Sequence, residues 1–356
     1  MQAIRMALGE RSYNVYIGAG ALDEVAVHLR RAKMGPRLAL VTNPTVFELH
    51  GNRFRETLTA EGFDVSVFTV PDGEEYKSLE SAGRLYTEFS EALIERSTPL
   101  LALGGGIIGD LAGFVAATYM RGMPLVQLPT TLLAQVDSSI GGKTAVNHGT
   151  LKNQIGAFYQ PVAVFSDIAA LKTLPRTQLS EGLAEIIKSA VIGDELLFRM
   201  LERRTKEILA GDERLLQAAV SRAAAVKISI VRRDEHDTGL RNTLNFGHTA
   251  AHAIETITNF KVSHGEAVAA GMLIAGRVAA GMGVFPASAL ERLRAVISAA
   301  ELPLSLPLNA SEVLEAIKHD KKMMSGKLKF ILPTRIGQVV ISDRVTPDMV
   351  AEAIVE

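Results

Sequence analysis

The chain has 356 residues, of which 47% are hydrophobic and 22% are charged, a balance typical of folded globular proteins. This composition excludes an intrinsically disordered chain, and the length suggests about two domains. The 38 basic and 39 acidic residues give a formal net charge of −1, so we expect no general attraction to nucleic acid or to an acidic membrane surface.

The cysteine count restricts the chemistry further. There are no cysteines, which excludes disulfides, thiolate metal ligands and cysteine nucleophiles. Any bound metal must therefore be held by histidine and carboxylate side chains. The N-terminus shows no cationic start followed by an apolar core, and no uncharged apolar run reaches the ~18 residues of a membrane-spanning helix. These features predict a cytoplasmic protein without membrane segments.

The first half of the chain alternates short apolar runs with helical patterns. Runs that read as buried strands lie at residues 38–42, 65–70, 100–103 and 125–128. Helical patterns lie between them, at residues 52–61, 79–95 and 108–119. This alternation predicts βαβ units with a mostly parallel sheet, and hence a Rossmann-like α/β domain over residues 1–174.

The second half is dominated by amphipathic helical patterns. They lie at residues 178–191, 195–210, 213–232, 243–258, 266–280, 287–300 and 310–319. Strand-like runs return only at residues 328–332 and 338–341. We therefore predict a second, mainly α-helical domain over residues 175–356.

Polar loops follow three of the predicted strands, at the sheet edge where ligands of parallel sheets bind. The third strand runs into GGGIIGD at residues 104–110, where backbone amides and a helix N-terminus could hold a phosphate. PDGEEYK at residues 71–77 could contact a ribose or phosphate through Glu74 and Lys77, and PTT at residues 129–131 offers two hydroxyls. The alternative for each loop is a turn that binds nothing.

Two lysines lie in glycine-containing segments further along. DSSIGGK ends at Lys143, and LKNQIG contains Lys152. We interpret both segments as flexible loops, in which a mobile ammonium group suits a phosphate or a carboxylate. The alternative is a surface loop with solvated lysines.

Histidines and a carboxylate form the most informative pattern. His248 and His252 are four residues apart and share a helix face, and His264 begins the next helical pattern. Glu185 and Lys188 lie on one face of an otherwise apolar helix, where a carboxylate needs a partner or a cation. One glutamate and two histidines with an open fourth position form a typical catalytic zinc site. The alternative is a set of histidines with ordinary structural partners.

Taken in order, these segments resemble the 3-dehydroquinate synthase family over essentially the whole chain. The motifs that carry the resemblance are PDGEEYKS, GGGIIGD, LPTTLLAQVDSSIGGKTAVN, KNQIGAFYQP, EGLAEIIK, GLRNTLNFGHTAAHAIE and HGEAVAAGM. The resemblance implies a lyase that converts 3-deoxy-D-arabino-heptulosonate 7-phosphate to 3-dehydroquinate and phosphate, the second step of the shikimate pathway. It implies bound NAD and a zinc or cobalt ion. The implied steps are oxidation at C5, β-elimination of phosphate, reduction at C5, ring opening and intramolecular aldol closure.

The resemblance also implies site residues. The implied metal ligands are Glu185, His248 and His264. The implied NAD contacts are Asn43, Asp72, Gly73, Glu74, Glu75, Tyr76, Lys77, Gly105, Gly106, Ile107, Ile108, Gly109, Asp110, Thr130, Thr131, Lys143, Lys152, Ala170, Leu171, Lys172 and Thr173. The implied catalytic and substrate contacts are Asp137, Lys143, Asn153, Lys188, Lys227, Arg241, Asn245, His252 and Arg121, with Arg121 supplied across a homodimer, and either Lys321 or Lys322.

Three alternatives remain open. Another sugar-phosphate cyclase of the same fold is disfavoured because Lys227, Arg241, Asn245 and His252 fit the dehydroquinate pattern. A metal-dependent polyol dehydrogenase would accumulate NADH, whereas a cyclase recycles it. A catalytically inactive regulatory homologue is disfavoured by the intact metal ligands.

Overall fold

The computed structural model describes residues 1–149, 151–319 and 329–355. The chain divides into two compact units, Met1–Pro175 and Arg176–Glu356. Among the described residues, no helix combines the length and the apolar character that crossing a membrane requires.

The first unit is an α/β structure. Its strands are β1 Gln2–Met6, β2 Tyr13–Gly18, β3 Arg37–Thr42, β4 Asp64–Thr69, β5 Leu100–Gly104, β6 Leu125–Pro129, β7 Lys143–His148, β8 Leu151–Phe158 and β9 Ala163–Asp167. Its helices are α1 Val25–Arg31, α2 Pro44–Val46, α3 Asn52–Ala60, α4 Leu79–Glu91 and α5 Gly106–Thr118. The main sheet has the order β1-β2-β9-β6-β5-β3-β4 and is parallel except for the β1–β2 pair.

Helices cover both faces of this sheet, because its central strands are mostly apolar and buried at every position. All residues of β5, β6 and β9 are buried. Alternate residues of a strand enter opposite cores: Ala39 and Val41 pack with α4 and α5, whereas Leu38 and Leu40 pack with α1 and α3. The predicted Rossmann-like α/β fold with a mostly parallel sheet is confirmed.

The segment that carries Lys143 and Lys152 corrects one prediction. It is not a pair of flexible loops but an antiparallel hairpin, in which β7 pairs with β8 and packs on α5. Gly156 permits the pairing, since a Cβ there would lie 2.2 Å from the Thr144 carbonyl oxygen. Buried Thr144 and Val146 alternate along β7, so the hairpin has a defined inner face.

The second unit is mainly helical, as predicted. Its helices are α6 Arg176–Gly193, α7 Glu195–Leu209, α8 Glu213–Val231, α9 His248–Ile257, α10 His264–Gly281, α11 Ala287–Ala299, α12 Ala310–His319 and α13 Pro347–Val355, and its strands are β10 Phe330–Arg335 and β11 Gln338–Ser342. Helix α10 is buried along most of its length and packs against α6, α9, α11, α13 and β10.

The start of α9 also differs from the prediction of one helix over residues 243–258. Leu240–Asn245 form a 3-10 turn, and α9 begins only at His248. Gly247 separates them with φ +80°, and a Cβ on it would lie 2.9 Å from the backbone nitrogen of Met272. Across the same contact, a Cβ on Gly271 would lie 2.1 Å from the Gly247 carbonyl oxygen. Glycine at both positions brings the first residue of α9 close to α10.

Candidate functional site

A carboxylate and two histidines meet in the second unit. Glu185, His248 and His264 each offer one ligand atom, and these atoms lie within 4.8 Å of one another. The Glu185 Oε1 atom lies 3.3 Å from His264 Nε2 and 3.6 Å from His248 Nε2. Each residue comes from a different helix, since Glu185 lies within α6 while His248 and His264 begin α9 and α10.

The outer nitrogens of both imidazole rings are also engaged. His248 Nδ1 lies 3.2 Å from the Phe246 carbonyl oxygen, and His264 Nδ1 lies 3.3 Å from Glu255 Oε1. Burial lowers the pKa of His264, but the hydrogen bonds with Glu185 and Glu255 outweigh this effect and raise that pKa to about 10. The position between the two carboxylates therefore favours a cation.

This arrangement suits a divalent metal. Glu185 is 1% exposed, and a carboxylate so deeply buried requires cationic partners. Lys188 contacts Glu185 Oε2, and Glu185 Oε1 faces the two Nε2 atoms. Two imidazoles and one carboxylate form a donor set for zinc or cobalt that leaves coordination positions open. The residues present therefore fit the metal that the sequence predicts.

The remaining residues predicted in this unit lie on neighbouring elements. His252 is one turn after His248, and their ring centroids are 5.4 Å apart. Lys188, Lys227 and Arg241 are buried, which is unusual for cations and typical of sites for anionic groups. Helix α8, which carries Lys227, packs against α6 and against the 3-10 turn that carries Arg241 and Asn245.

One carboxylate that organises this region was missed by the sequence analysis. Asp234 Oδ1 accepts hydrogen bonds from the backbone nitrogen and the hydroxyl of Thr238, at 2.9 and 3.0 Å. Its Oδ2 accepts from the backbone nitrogens of Gly239 and Arg241, both at 2.8 Å. The hydrogen bond from Arg241, with those from Thr238 and Gly239, holds the pKa of Asp234 well below its usual range. In the segment RRDEHDTGLR, Asp234 followed by Gly239 is typical of a loop in which a carboxylate accepts hydrogen bonds from the backbone.

In the first unit, the predicted NAD residues follow strands that neighbour one another in the sheet. Asn43 follows β3, residues 72–77 follow β4, residues 105–110 follow β5, Thr130 and Thr131 follow β6, and Ala170, Leu171, Lys172 and Thr173 lie in a 3-10 segment after β9. These strands are adjacent in the order β9-β6-β5-β3-β4 and parallel. The structure therefore brings these residues to one carboxyl edge, where such sheets bind nucleotides.

The glycine-rich turn at this edge is packed too closely for side chains. A Cβ on Gly104 would lie 2.7 Å from Ile108, one on Gly105 would lie 3.1 Å from Thr131, and Gly105 forms the N-cap of α5. The side-chain oxygen of Thr130 is buried without a hydrogen-bond partner among the described residues. A half-buried helix N-terminus beside a hydroxyl without a hydrogen-bond partner among the described residues suits a phosphate-bearing ligand.

A lysine joins three of the predicted segments. Lys77 is 5% exposed, and its ammonium group donates to Asp110 Oδ2 and Asn153 Oδ1, both at 2.6 Å. Asn147, which the sequence analysis missed, donates to Glu74 Oε1 at 2.8 Å and accepts from the Asn153 backbone nitrogen at 3.0 Å. The loop after β4, the start of α5 and the hairpin are therefore held together by side chains.

The other predicted residues have simpler surroundings. Asn43 donates to Asp72, and Thr173 Oγ1 donates to the Ala170 carbonyl oxygen at 3.0 Å. Arg121 is exposed, with φ +65°, after α5 ends. Lys143 is exposed, while Asp137 and Lys152 are half-buried. Lys321 and Lys322 lie outside the described residues.

Two family models match consecutive parts of the chain. A model described as 3-dehydroquinate synthase N-terminal matches residues 67–181, and one described as 3-dehydroquinate synthase C-terminal matches residues 182–323. The 3-dehydroquinate synthase of Desulforamulus reducens is 46% identical over 344 residues, which cover 96% of this chain and 96% of that protein.

Solved structures of sugar-phosphate cyclases share the fold. The 2-epi-5-epi-valiolone synthase of Streptomyces hygroscopicus, solved with NAD+ and Zn2+, has a TM-score of 0.91 and 27% identity, covering 98% of this chain and 97% of its own. A 2-deoxy-scyllo-inosose synthase with carbaglucose-6-phosphate, NAD+ and Co2+ has a TM-score of 0.91 and 24% identity, covering 99% of both chains. The second likeness shows the fold alone.

Proposed function

This chain belongs to the 3-dehydroquinate synthase family, and on that premise we propose that it converts 3-deoxy-D-arabino-heptulosonate 7-phosphate to 3-dehydroquinate and phosphate. The observation that carries the proposal is the meeting of Glu185, His248 and His264, in a chain that matches the family along nearly its whole length. The higher identity to 3-dehydroquinate synthase than to valiolone synthase favours this reaction over that of another cyclase.

We propose that the chain works with NAD and a zinc or cobalt ion. When bound, the metal would polarise the C5 hydroxyl, and NAD would accept a hydride from C5 and return it later in the cycle. Glu185, His248 and His264 would hold the metal through one carboxylate oxygen and two Nε2 atoms. The first unit would hold NAD, with the diphosphate at the N-terminus of α5 and the Thr130 hydroxyl beside it.

Buried cations of the second unit would bind the substrate carboxylate. Arg241 and Lys227 are charged groups that pair strongly with carboxylates, and Asn245 would add a neutral donor. His252 would act as a hydrogen-bond relay or acid/base at the C5 hydroxyl, since its ring lies beside that of His248. The leaving phosphate can accept the proton lost in the elimination, so no strong protein base is required.

Residues of the hairpin would bind the substrate phosphate. Lys143 supplies a charge, and Asn153 supplies a side-chain amide whose oxygen already accepts from Lys77, which leaves its N–H groups to donate to a phosphate oxygen. Asp137, which precedes the hairpin, is a further proposed substrate contact, and Lys152 is a proposed NAD contact. Arg121 would reach the phosphate across a homodimer.

A coupled assay tests the reaction. The purified chain, supplied with the heptulosonate phosphate, NAD and Zn2+ or Co2+, should release phosphate and form 3-dehydroquinate in equal amounts without accumulating NADH. The Glu185→Gln variant should release none. Accumulation of NADH with a polyol would favour a dehydrogenase, and absence of phosphate release with both cofactors present would refute the proposal.

Mixing two inactive variants tests the homodimer. Arg121→Ala loses the phosphate contact, and Glu185→Gln loses the metal. If Arg121 acts across the interface, a mixed dimer contains one complete site, so mixing the two variants should restore activity. Activity that stays absent, or a monomer in sedimentation, would contradict this part of the proposal. We propose cytoplasmic location on the same family premise.

A further inference from the structure

Glu255 is a buried carboxylate with no place in the reaction proposed above. It lies in α9, is 8% exposed, and points Oε1 toward His264 Nδ1 at 3.3 Å. The same imidazole ring directs Nε2 toward Glu185 Oε1, also at 3.3 Å. Glu255 therefore contacts the side of His264 that faces away from Glu185.

This contact determines which ring nitrogen is available to a metal. A neutral imidazole carries a hydrogen on one nitrogen and a lone pair on the other. A carboxylate at Nδ1 holds the hydrogen there, so the lone pair is on Nε2 and the ring orientation is fixed. In His248, the Phe246 carbonyl oxygen at 3.2 Å holds the hydrogen on Nδ1 in the same way, but this oxygen carries no net charge.

The charge on Glu255 matters as well as its position. Lys188 contacts Glu185, so the charges of these two groups offset each other. Without a further carboxylate, a divalent cation would enter a site with little net negative charge. Glu255 supplies additional negative charge in direct contact with the His264 ring, beside the electrostatic contribution of Glu181.

We propose that Glu255 is a positioning residue of the metal site, which fixes His264 with Nε2 toward the ion and strengthens binding of a divalent cation through its charge. The inference rests on the proposed function in that it takes Glu185, His248 and His264 as the ligands. The chain itself offers a matched control. Glu266 is also a carboxylate near His264, but its Oε2 accepts from the backbone nitrogen of Ser263 at 2.9 Å in a capping box.

Metal affinity of the whole chain tests the proposal without substrate. Zn2+ and Co2+ alone are the probes, with affinity measured by competition against a chromogenic chelator and the Co2+ absorption spectrum as a signature of geometry. Glu255→Gln should weaken binding by about 10- to 100-fold and alter the Co2+ spectrum. Glu266→Gln should keep the Co2+ spectrum of the wild type and weaken binding much less than Glu255→Gln, because it removes a charge that does not contact the His264 ring and glutamine also completes a capping box.

The outcomes separate this proposal from the proposed function. Wild-type affinity and spectrum in Glu255→Gln would overturn the role of Glu255, even if its melting temperature falls. Weaker metal binding in Glu255→Gln would support the positioning role of Glu255. If the metal-loaded wild type also formed no dehydroquinate, the proposed reaction would be refuted while the role of Glu255 stood. If Glu255→Gln fails to fold, Glu255→Asp takes its place, because its shorter side chain keeps the charge but withdraws from His264. Unchanged affinity in Glu255→Asp would then overturn the proposal.

Discussion

Replacing Asp234 with asparagine should destabilise the loop that presents Arg241. Each carboxylate oxygen of Asp234 accepts two hydrogen bonds, and both bonds to Oδ2 come from backbone nitrogens. An asparagine retains one oxygen and turns an NH2 group toward the other pair of donors. Two hydrogen bonds to a charged acceptor are therefore lost, and at least one backbone N–H group faces a donor.

The magnitude follows from those two bonds. Hydrogen bonds to charged groups contribute roughly 1.5–3 kcal/mol each, so Asp234→Asn should lower the free energy of unfolding by about 3 kcal/mol. The loss has a definite pH dependence. Because the pKa of Asp234 is lower in the folded chain than its ordinary value, its stabilisation is fully present above about pH 4 and is lost as the pH falls below that value.

Denaturant unfolding of the wild type and two variants measures the effect. The control is Asp212→Asn at the N-cap of α8, where Oδ1 alone accepts from the backbone nitrogens of Arg214 and Leu215, both at 3.0 Å. An asparagine oxygen can replace that acceptor, so the control should change stability little. Equal stability losses in the two variants, or an Asp234→Asn loss that does not shrink in acid, would refute the reasoning.

Further variants separate the roles of other residues. Lys77→Met removes a buried cation that contacts Asp110, so it should cost roughly 3 kcal/mol and weaken NAD binding, measured by unfolding and by fluorescence titration. Exposed Lys172→Met should not affect stability, and unchanged stability of Lys77→Met would contradict a structural role. Gly247→Ala should lower the free energy of unfolding by roughly 1–3 kcal/mol from backbone strain alone. It should also weaken Zn2+ binding, because the added side chain would displace the start of α9, which carries His248. Unchanged Zn2+ affinity would contradict a link between this contact and the metal site. His252→Asn should lower kcat by roughly 100-fold or more with metal affinity unchanged, and loss of the metal would instead make His252 a ligand.

The parallel sheet and the helical second unit could be predicted because local patterns determine them. The apolar runs of β3, β5 and β6 read as buried strands directly, since each is buried along almost its whole length. Strands β1, β2 and β9 and the β7–β8 hairpin were missed. The pairing of β2 with β9 joins segments distant in sequence, and the pairing of β7 with β8 depends on one close glycine contact; no local periodicity records either.

Some functional residues could be predicted from the sequence, and others could be recognised only in the folded chain. The family motifs include Glu185, His248 and His264, whose meeting depends on three helices and could not follow from spacing alone. The sequence around Asp234 indicates a turn, but only the folded chain shows which groups the carboxylates of Asp234 and Glu255 hold. The net charge of −1 similarly gave no sign of the buried cations Lys188, Lys227 and Arg241.

The most direct test of the account is the ratio of products in a single reaction mixture. The chain, loaded with NAD and Zn2+ or Co2+ and given 3-deoxy-D-arabino-heptulosonate 7-phosphate, should form one 3-dehydroquinate for each phosphate released, with no net NADH, and a chelator should stop both. Phosphate release without dehydroquinate, net reduction of NAD, or full activity in the presence of the chelator would contradict it.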